Sequence, residues 1–419
     1  MATLSFNKLR KTDAIWLPQI PEHWELVKVR HLFKESTKKG FPNEKLLVAS
    51  QKHGVVSKDA YGKRTVEATK DLHNLKLVEV GDYVISLRSF QGGIELAYER
   101  GIISPAYTIM KETRLIDKRY FKNLFKSPPF ISLMTLCVKG IREGQNIDYP
   151  TFKNEYLPFP PIEEQKAIAE YLDKKNSEID KFIRNKEKLI ELLEEEKRLV
   201  ILNEINGKHL NKRDISHWNV IVLKYCCKVI DCKHITPTYT QEGIPIVSPG
   251  ELKPYSIDYS GLRLVNVIDF NRLTEGNRWP MQGDILYSRN ASVGSACYIT
   301  GDSDFCMGQD VCLIRSKKFN GRYLEHMLNS DFVLKHVESI LIGATIRRIN
   351  ISEIKRLEVL CPPKDIQALI CKKIEVKTRK IVTAISKAQQ EIASIKEYRV
   401  AVITDLVTGK RSIPQIQSS

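Results

Sequence analysis

Four side chains able to hold a soft metal fall between positions 226 and 234: Cys226, Cys227, Cys232 and His234. Zinc sites are commonly built from cysteines paired two residues apart, with a second pair further on. Neither feature is present here, so buried strand thiols are the expectation for this cluster. A second chemistry belongs to side chains that can make two hydrogen bonds to a base edge, as Arg, Lys, Asn and Gln do. In the first half of the chain these are Arg88, Gln91, Arg142, Gln145 and Asn146. In the second half they are Arg289, Asn290, Arg347, Arg348 and Asn350. All lie beside glycine-containing turns. Phosphate contact or plain solvation competes with base reading at each, because most protein–DNA hydrogen bonds go to the backbone. Other chemistries find less support. No G-x-x-x-x-G-K-[ST] motif is present, so no ATP-driven motor is expected. The carboxylate-x-lysine triplet Glu353-Ile354-Lys355 lacks an upstream acidic partner and is expected on a solvated face.

The elements that must hold these residues occur twice. Pro160-Pro161-Ile162-Glu163-Glu164-Gln165-Lys166-Ala167-Ile168 recurs 202 residues later as Pro362-Pro363-Lys364-Asp365-Ile366-Gln367-Ala368-Leu369-Ile370. The closing Gly207-Lys208 and Gly409-Lys410 keep the same offset, so the segment repeats without insertion. Apolar positions after the second Pro-Pro fall at Ile374, Ile381, Ile385, Ile392, Ile395, Val402 and Leu406, with Ala388 and Arg399 completing the alternating three-and-four spacing from Ile381. The first copy keeps that register with Ile179, Ile183, Lys186, Ile190, Leu193, Lys197, Val200 and Glu204. Such a narrow seam is that of a coiled coil, and the nearest partner for each copy is the other. A 44-residue helix spans about 66 Å at ~1.5 Å per residue, and an antiparallel pair would put the globular parts at opposite ends. The prolines stop the helix at its start and the glycines at its end.

Landmarks before the helices repeat as well. His23-Trp24 recurs as His217-Trp218, each followed by an apolar-rich strand, 25–33 and 219–227. Gly81-Asp82-Tyr83-Val84-Ile85-Ser86 recurs as Gly283-Asp284-Ile285-Leu286-Tyr287-Ser288. Apolar helices led by tyrosine are expected over 120–133 and 323–337. The sequence between these landmarks differs greatly, so a framework repeats while its loops diverge. Short strands and loops rich in Gly, Ser, Asn and Pro indicate α+β domains.

With 419 residues the chain is long enough for two or three domains. Its net charge is +16. The first helical segment carries 9 basic and 12 acidic residues and the second 9 and 5, leaving +15 on the globular parts. Near-neutral helices of opposite sign suit pairing, and basic globular parts suit a polyanion. Nine cysteines without an export signal read as reduced thiols. No apolar run approaches the ~20 residues needed to cross a bilayer. A cytoplasmic location is the expectation.

Two loop-rich halves, each ending in Pro-Pro-x-x-x-Gln-x-x-Ile and a long helix that stops near Gly-Lys, resemble the specificity subunit of Type I restriction-modification systems. The resemblance covers essentially the whole chain and extends to the opening Ile20-Pro21-Glu22-His23-Trp24-Glu25. The second copy departs from it at Ser216-His217-Trp218, which lacks Pro-Glu, and at Ile366 where the first copy has Glu164. The resemblance implies two target recognition domains in pseudo-twofold tandem, 1–158 and 209–360, each reading one half of a split double-stranded DNA site. It further implies spacer helices at 159–208 and 361–411, a tail at 412–419, and docking of two methyltransferase subunits and of restriction-translocase subunits. S-adenosylmethionine, ATP and Mg would then belong to those partners, and this chain would hold no cofactor.

One motif points the other way. Ser127-Pro128-Pro129-Phe130 resembles the loop with which amino-methyltransferases hold a flipped adenine, and would make the chain a solitary adenine methyltransferase. The repeat argues against it. Tyr120-Phe121-x-x-Leu124-x-x-Ser127 aligns with Tyr323-Leu324-x-x-Met327-x-x-Ser330, and the second copy continues Asp331-Phe332 without prolines. No Gly-rich turn after a strand is found for S-adenosylmethionine. A coiled-coil scaffold whose basic surface meets RNA or another protein is the remaining alternative.

Overall fold

The computed structural model describes residues 8–61, 71–87, 89–139, 146–207, 218–301, 304–342 and 347–413. Both segments with the three-and-four spacing are uninterrupted helices of 44 residues, Ile162–Ile205 and Lys364–Val407. Each begins directly after its proline pair. The carbonyls of Pro161 and Pro363 accept from the amides of Gln165 and Gln367 at 3.0 and 2.9 Å. Proline suits this position, since a helix start has no use for its missing N–H. Acidic residues in the first turns, Glu163 and Glu164 in one and Asp365 in the other, suit the positive end of the helix dipole. Left-handed glycines follow the last turns, Gly207 at φ +66° and Gly409 at φ +72°. At Gly409 a Cβ would also stand 2.3 Å from Cδ of Pro21 and 3.0 Å from the Trp24 ring, so no larger residue fits.

The chain folds into two compact units, one of residues 1–186 with 390–419 and one of residues 187–389. In the first, an antiparallel sheet runs in the order Phe33–Ser36, Thr108–Glu112, Tyr83–Ile85, Glu95–Leu96. In the second, Lys228–Asp231, Val311–Arg315, Ile285–Ser288 and Ala296–Tyr298 take the same order and direction. A two-stranded ladder in each unit joins its opening to the strand before Pro-Pro: Glu25–Lys28 pairs with Tyr156–Phe159, and Asn219–Val222 with Glu358–Cys361. The repeated landmarks are therefore the strands of one repeated topology. Strands outside that topology differ. The first unit adds small antiparallel pairs, among them Leu47–Ser50 with Gly54–Ser57. The second adds a four-stranded sheet of Tyr239–Thr240, Arg263–Val265, Ile244–Val247 and Cys306–Met307, whose last pairing is parallel.

Two expectations are corrected at finer scale. The strands expected over 25–33 and 219–227 are each interrupted after four residues. A single turn, Val29–Leu32 in one and Leu223–Tyr225 in the other, redirects the chain from the ladder into the main sheet. The helices expected over 120–133 and 323–337 are each two helices, Lys118–Leu124 with Pro128–Leu136 and Gly321–Leu328 with Asp331–Leu341. The break lies at Ser127 and Ser330, both in extended backbone. Pro128 and Pro129 are tolerated there because they occupy the first turn of the next helix.

Aromatic side chains build the first core. Phe33 meets Tyr83 and Phe121 edge-on, each with ring centroids 5.5 Å apart, and Trp24 meets Tyr120 at 6.5 Å. All five are buried, and each such side chain contributes on the order of 1.5–3 kcal/mol by leaving water. Ile168, Ala169 and Leu172 from the start of the first long helix and Val402, Leu406 and Val407 from the end of the second complete this core. In the second unit Ile201 and Ile205 share a core with Ile370 and Ile374.

The long helices are antiparallel where they meet. Within the first unit Asp180 pairs with Arg399, and Lys186 with Glu391 at 2.6 Å, so rising numbers on one helix meet falling numbers on the other. Within the second unit Glu204 pairs with Lys377. The seam expected from the spacing lies inward. Ile179, Ile381, Ile385, Ala388, Val402 and Leu406 are buried, and Ile183, Ile190, Leu193, Val200, Ile392 and Ile395 are half-buried. Three of its polar positions, Lys186, Glu204 and Arg399, are those that form the ion pairs. No described helix is long and apolar enough to cross a membrane.

Candidate nucleic-acid interface

The repeated motifs position the units internally. Gln165 Nε2 donates to the Pro160 carbonyl at 2.8 Å, and its Oε1 accepts from the Asp117 amide at 2.9 Å. Gln367 repeats both bonds, to Pro362 at 2.8 Å and from Asn320 at 2.7 Å. The glutamine of Pro-Pro-x-x-x-Gln thus ties the start of each long helix to the cap of the helix that follows the main sheet. Asp82 and Asp284 repeat likewise, accepting from the amides of Glu79 and Met281 at 2.8 and 3.0 Å.

Ser127 belongs to this scaffolding. Its Oγ is fully buried and donates to the Leu124 carbonyl at 2.7 Å, as Ser330 Oγ donates to the Met327 carbonyl at 2.6 Å. Phe130 packs 4.9 Å from the Phe125 ring. A loop that holds a base needs these groups turned outward. Here they form a helix start and core.

Of the first-half candidates, Arg88, Arg142 and Gln145 lie outside the described residues. Gln91 is exposed in the short helix Ser89–Gly92. Asn146 is exposed in the strand Asn146–Ile147, which pairs with Val138–Lys139.

The second-half candidates are brought together. An antiparallel bridge joins Asn290 to Arg348, and Ile349 donates its amide to the Arg289 carbonyl at 2.9 Å. The five residues nevertheless differ in what they offer a ligand. The Arg289 side chain is only 5% exposed, and its guanidinium is held by Asp231 and by the Ile349 carbonyl. It ties the sheet to the turn. Asn350 precedes the short helix Ile351–Ile354, where its own amide donates to Glu353 at 2.7 Å. Its counterpart in the repeat, Asp148, likewise precedes a short helix and accepts from the Thr151 amide at 3.1 Å. A capping role therefore recurs at this position. Glu353, read as a member of a solvated triplet, is accordingly part of the cap. Arg347 is exposed, and Arg348 keeps 39% of its side chain in solvent.

Two acids in this cluster were not expected from the sequence. Asp310 pairs with Arg348 at 2.7 Å and accepts from Asn290 Nδ2 at 3.3 Å. Asp231 engages Arg289 and, at 3.1 Å, His234. Carboxylates are poor ligands for a polyanion, so residue type gave no reason to select them. Their role emerges once the strands bring them to the arginines.

The cysteine cluster is divided. Cys226 and Cys227 lie at the end of a single turn rather than in a strand, with sulfurs 3.9 Å apart. Cys232 is buried, which pushes its thiol up, and its Sγ is 4.0 Å from Nδ1 of His234. Asp231, Cys232 and His234 bring donor atoms within 4.8 Å of one another. Asp231 already serves Arg289 there. Buried thiols at Cys297, Cys306 and Cys312 do lie in strands, and burial pushes the first two up to about 11 and about 12.

Comparison with known proteins finds one family match and several full-length relatives. Residues 216–397 match the Type I restriction modification DNA specificity domain. Over 94% of this chain and 94% of its own length, the MjaVIII Type I restriction enzyme specificity subunit of Methanocaldococcus jannaschii is 22% identical. A MjaX specificity subunit from the same organism is also 22% identical, over 97% and 98% of the two lengths. A chain from a solved type I R-M system shares the fold with a TM-score of 0.64 at 15% identity, covering 94% of this chain and 99% of that one.

Proposed function

We infer that this chain, which belongs to the Type I restriction-modification specificity-subunit family, chooses the DNA sequence on which its complex acts and does no chemistry itself. One observation supports this division of labour most strongly. The two halves repeat the same sheet order and the same glutamine and serine bonds, while the loops and added strands between them differ. A constant frame carrying divergent surfaces is the construction expected where two halves of one DNA site are read separately.

In this proposal residues 1–158 and 209–360 are the two recognition domains, and the segments 159–208 and 361–411 space them and dock partners. The DNA site is bipartite. Two methyltransferase subunits bind the helical segments, and restriction-translocase subunits join that core. S-adenosylmethionine, ATP and Mg act in those partners, in the cytoplasm. Gln91, Asn146, Asn290, Arg347 and Arg348 are the described candidates for DNA contact, with Arg289 and Asn350 holding the surface in shape.

The test is to purify the chain alone and with its methyltransferase partner. Alone it should transfer no methyl group from labelled S-adenosylmethionine. Together they should methylate adenine at one defined sequence. Duplex retention on nitrocellulose should weaken steeply with salt, because counterions return to the phosphates. Methyl transfer by the isolated chain would make it a methyltransferase, and a preference for RNA over duplex would make it a different kind of scaffold.

A further inference from the structure

The Asp310 turn has no counterpart in the first unit. Tyr83 pairs with Met110 where its counterpart Ile285 pairs with Ile314, which places Ala106 at the position of Asp310. The 202-residue offset of the short capped helices places Asn146 at the position of Arg348. The glutamine, serine and aspartate bonds of the framework recur in pairs. The carboxylate–guanidinium pair between Asp310 and Arg348 does not, so it belongs to what distinguishes the second half.

Its geometry is costly and specific. Asp310 has φ +63°, a left-handed conformation that a non-glycine residue enters with strain. Ala291, beside Asn290, has φ +54°. The strained backbone at 310 lets one residue make three connections. Its carbonyl accepts from the Arg289 amide at 2.8 Å, one carboxylate oxygen holds Arg348 at 2.7 Å, and the other accepts from Asn290 Nδ2 at 3.3 Å. Arg348 uses Nη2 for this bond and remains 39% exposed. A carboxylate on a surface that meets DNA repels phosphate unless a cation answers it. Here it answers a guanidinium and holds one arm of that group.

We propose that Asp310 is a positioning residue that aims Arg348 at the O6/N7 edge of a guanine in the second half of the DNA site. A guanidinium offers five N–H donors in a planar fork. With one arm held by Asp310, its remaining donors match the two acceptors that guanine presents in the major groove. Asn290, bridged to Arg348 through the backbone, keeps the two chain segments in register. This rests on the DNA-specificity function proposed above.

The test uses the full chain co-purified with its methyltransferase partner, on duplexes carrying every single-base change in the methylated sequence. Arg348→Lys keeps the charge and loses the fork. It should reduce discrimination at one guanine of the second half-site by about tenfold to a hundredfold, leaving the other positions unchanged. Asp310→Asn and Asp310→Gly both tolerate a left-handed backbone, so each should fold and each should relax discrimination at the same guanine. Affinity changed equally for all sequences, with discrimination at every base unchanged, would make Arg348 a phosphate contact and overturn the proposal. An unchanged base profile in the Asp310 variants would also overturn it. If the unsubstituted complex shows no sequence preference at all, the specificity function itself fails, which is a separate outcome.

Discussion

The indole N–H of Trp24 donates to Oε2 of Glu164 at 2.8 Å, while His23 shares Oε1 of the same carboxylate at 2.7 Å. One acidic residue in the first turn of a long helix thereby fastens the opening of the chain to that helix. The second half has Ile366 in its place, packed with Trp218 against the second core. The difference is one of means, polar in one half and apolar in the other.

Glu164→Ala should therefore lower the unfolding free energy by about 2–3 kcal/mol, since hydrogen bonds to a charged group contribute about 1.5–3 kcal/mol. Ile366→Ala should cost a similar amount through lost apolar packing. Urea unfolding followed by tryptophan fluorescence measures both. A Glu164→Ala chain as stable as the parent would show that Trp24 does not depend on this carboxylate.

Gln165→Ala and Gln367→Ala should behave as twins. Each removes the same two bonds and leaves a buried amide without its acceptor, at about 1–3 kcal/mol. The pair share no partner, so their effects should add. Strongly unequal costs would contradict the equivalence of the two halves.

Ser127→Ala should leave methylation by the assembled complex unchanged apart from a small loss of stability. Its hydroxyl is buried against the Leu124 carbonyl and reaches no solvent. Loss of methyl transfer with the fold intact would revive the adenine-loop interpretation of Ser-Pro-Pro-Phe.

The second unit should carry a pH dependence of its own. Burial, with Arg322 and Lys197 nearby, pushes the His326 imidazole down to about 4, and its Nδ1 has no hydrogen-bond partner among the described residues. A depressed folded pKa means that the unfolded chain binds the proton first. Stability from this group is fully present above about 6.5 and is lost as pH falls toward about 4. His326→Phe, which keeps a ring beside Tyr255, should flatten the decline in unfolding midpoint over that window. An equal decline in both proteins would assign it to other groups.

The frame was legible in the sequence because it is written twice. Proline pairs, the glutamine five residues after each first proline, the heptad spacing and the closing glycines all recur at one offset. Each is the residue type that its backbone position requires. The breaks at Ser127 and Ser330 were less legible, since apolar periodicity continues across them and only the prolines of one copy mark the interruption. Least legible was the cluster around Asp310. Arg289 and Arg348 look alike as exposed-loop arginines, yet one is buried against Asp231 and the other extends into solvent. That distinction depends on which strands lie side by side, and no local pattern carries it.

The central claim is that separate parts of this chain choose separate halves of the DNA sequence. The most direct measurement is the methylated sequence in cells whose chain has residues 1–155 replaced by those of a related specificity subunit. The account predicts that one half of the methylated sequence changes and the other stays as it was. An active chimera in which both halves change together, or in which neither does, would contradict it.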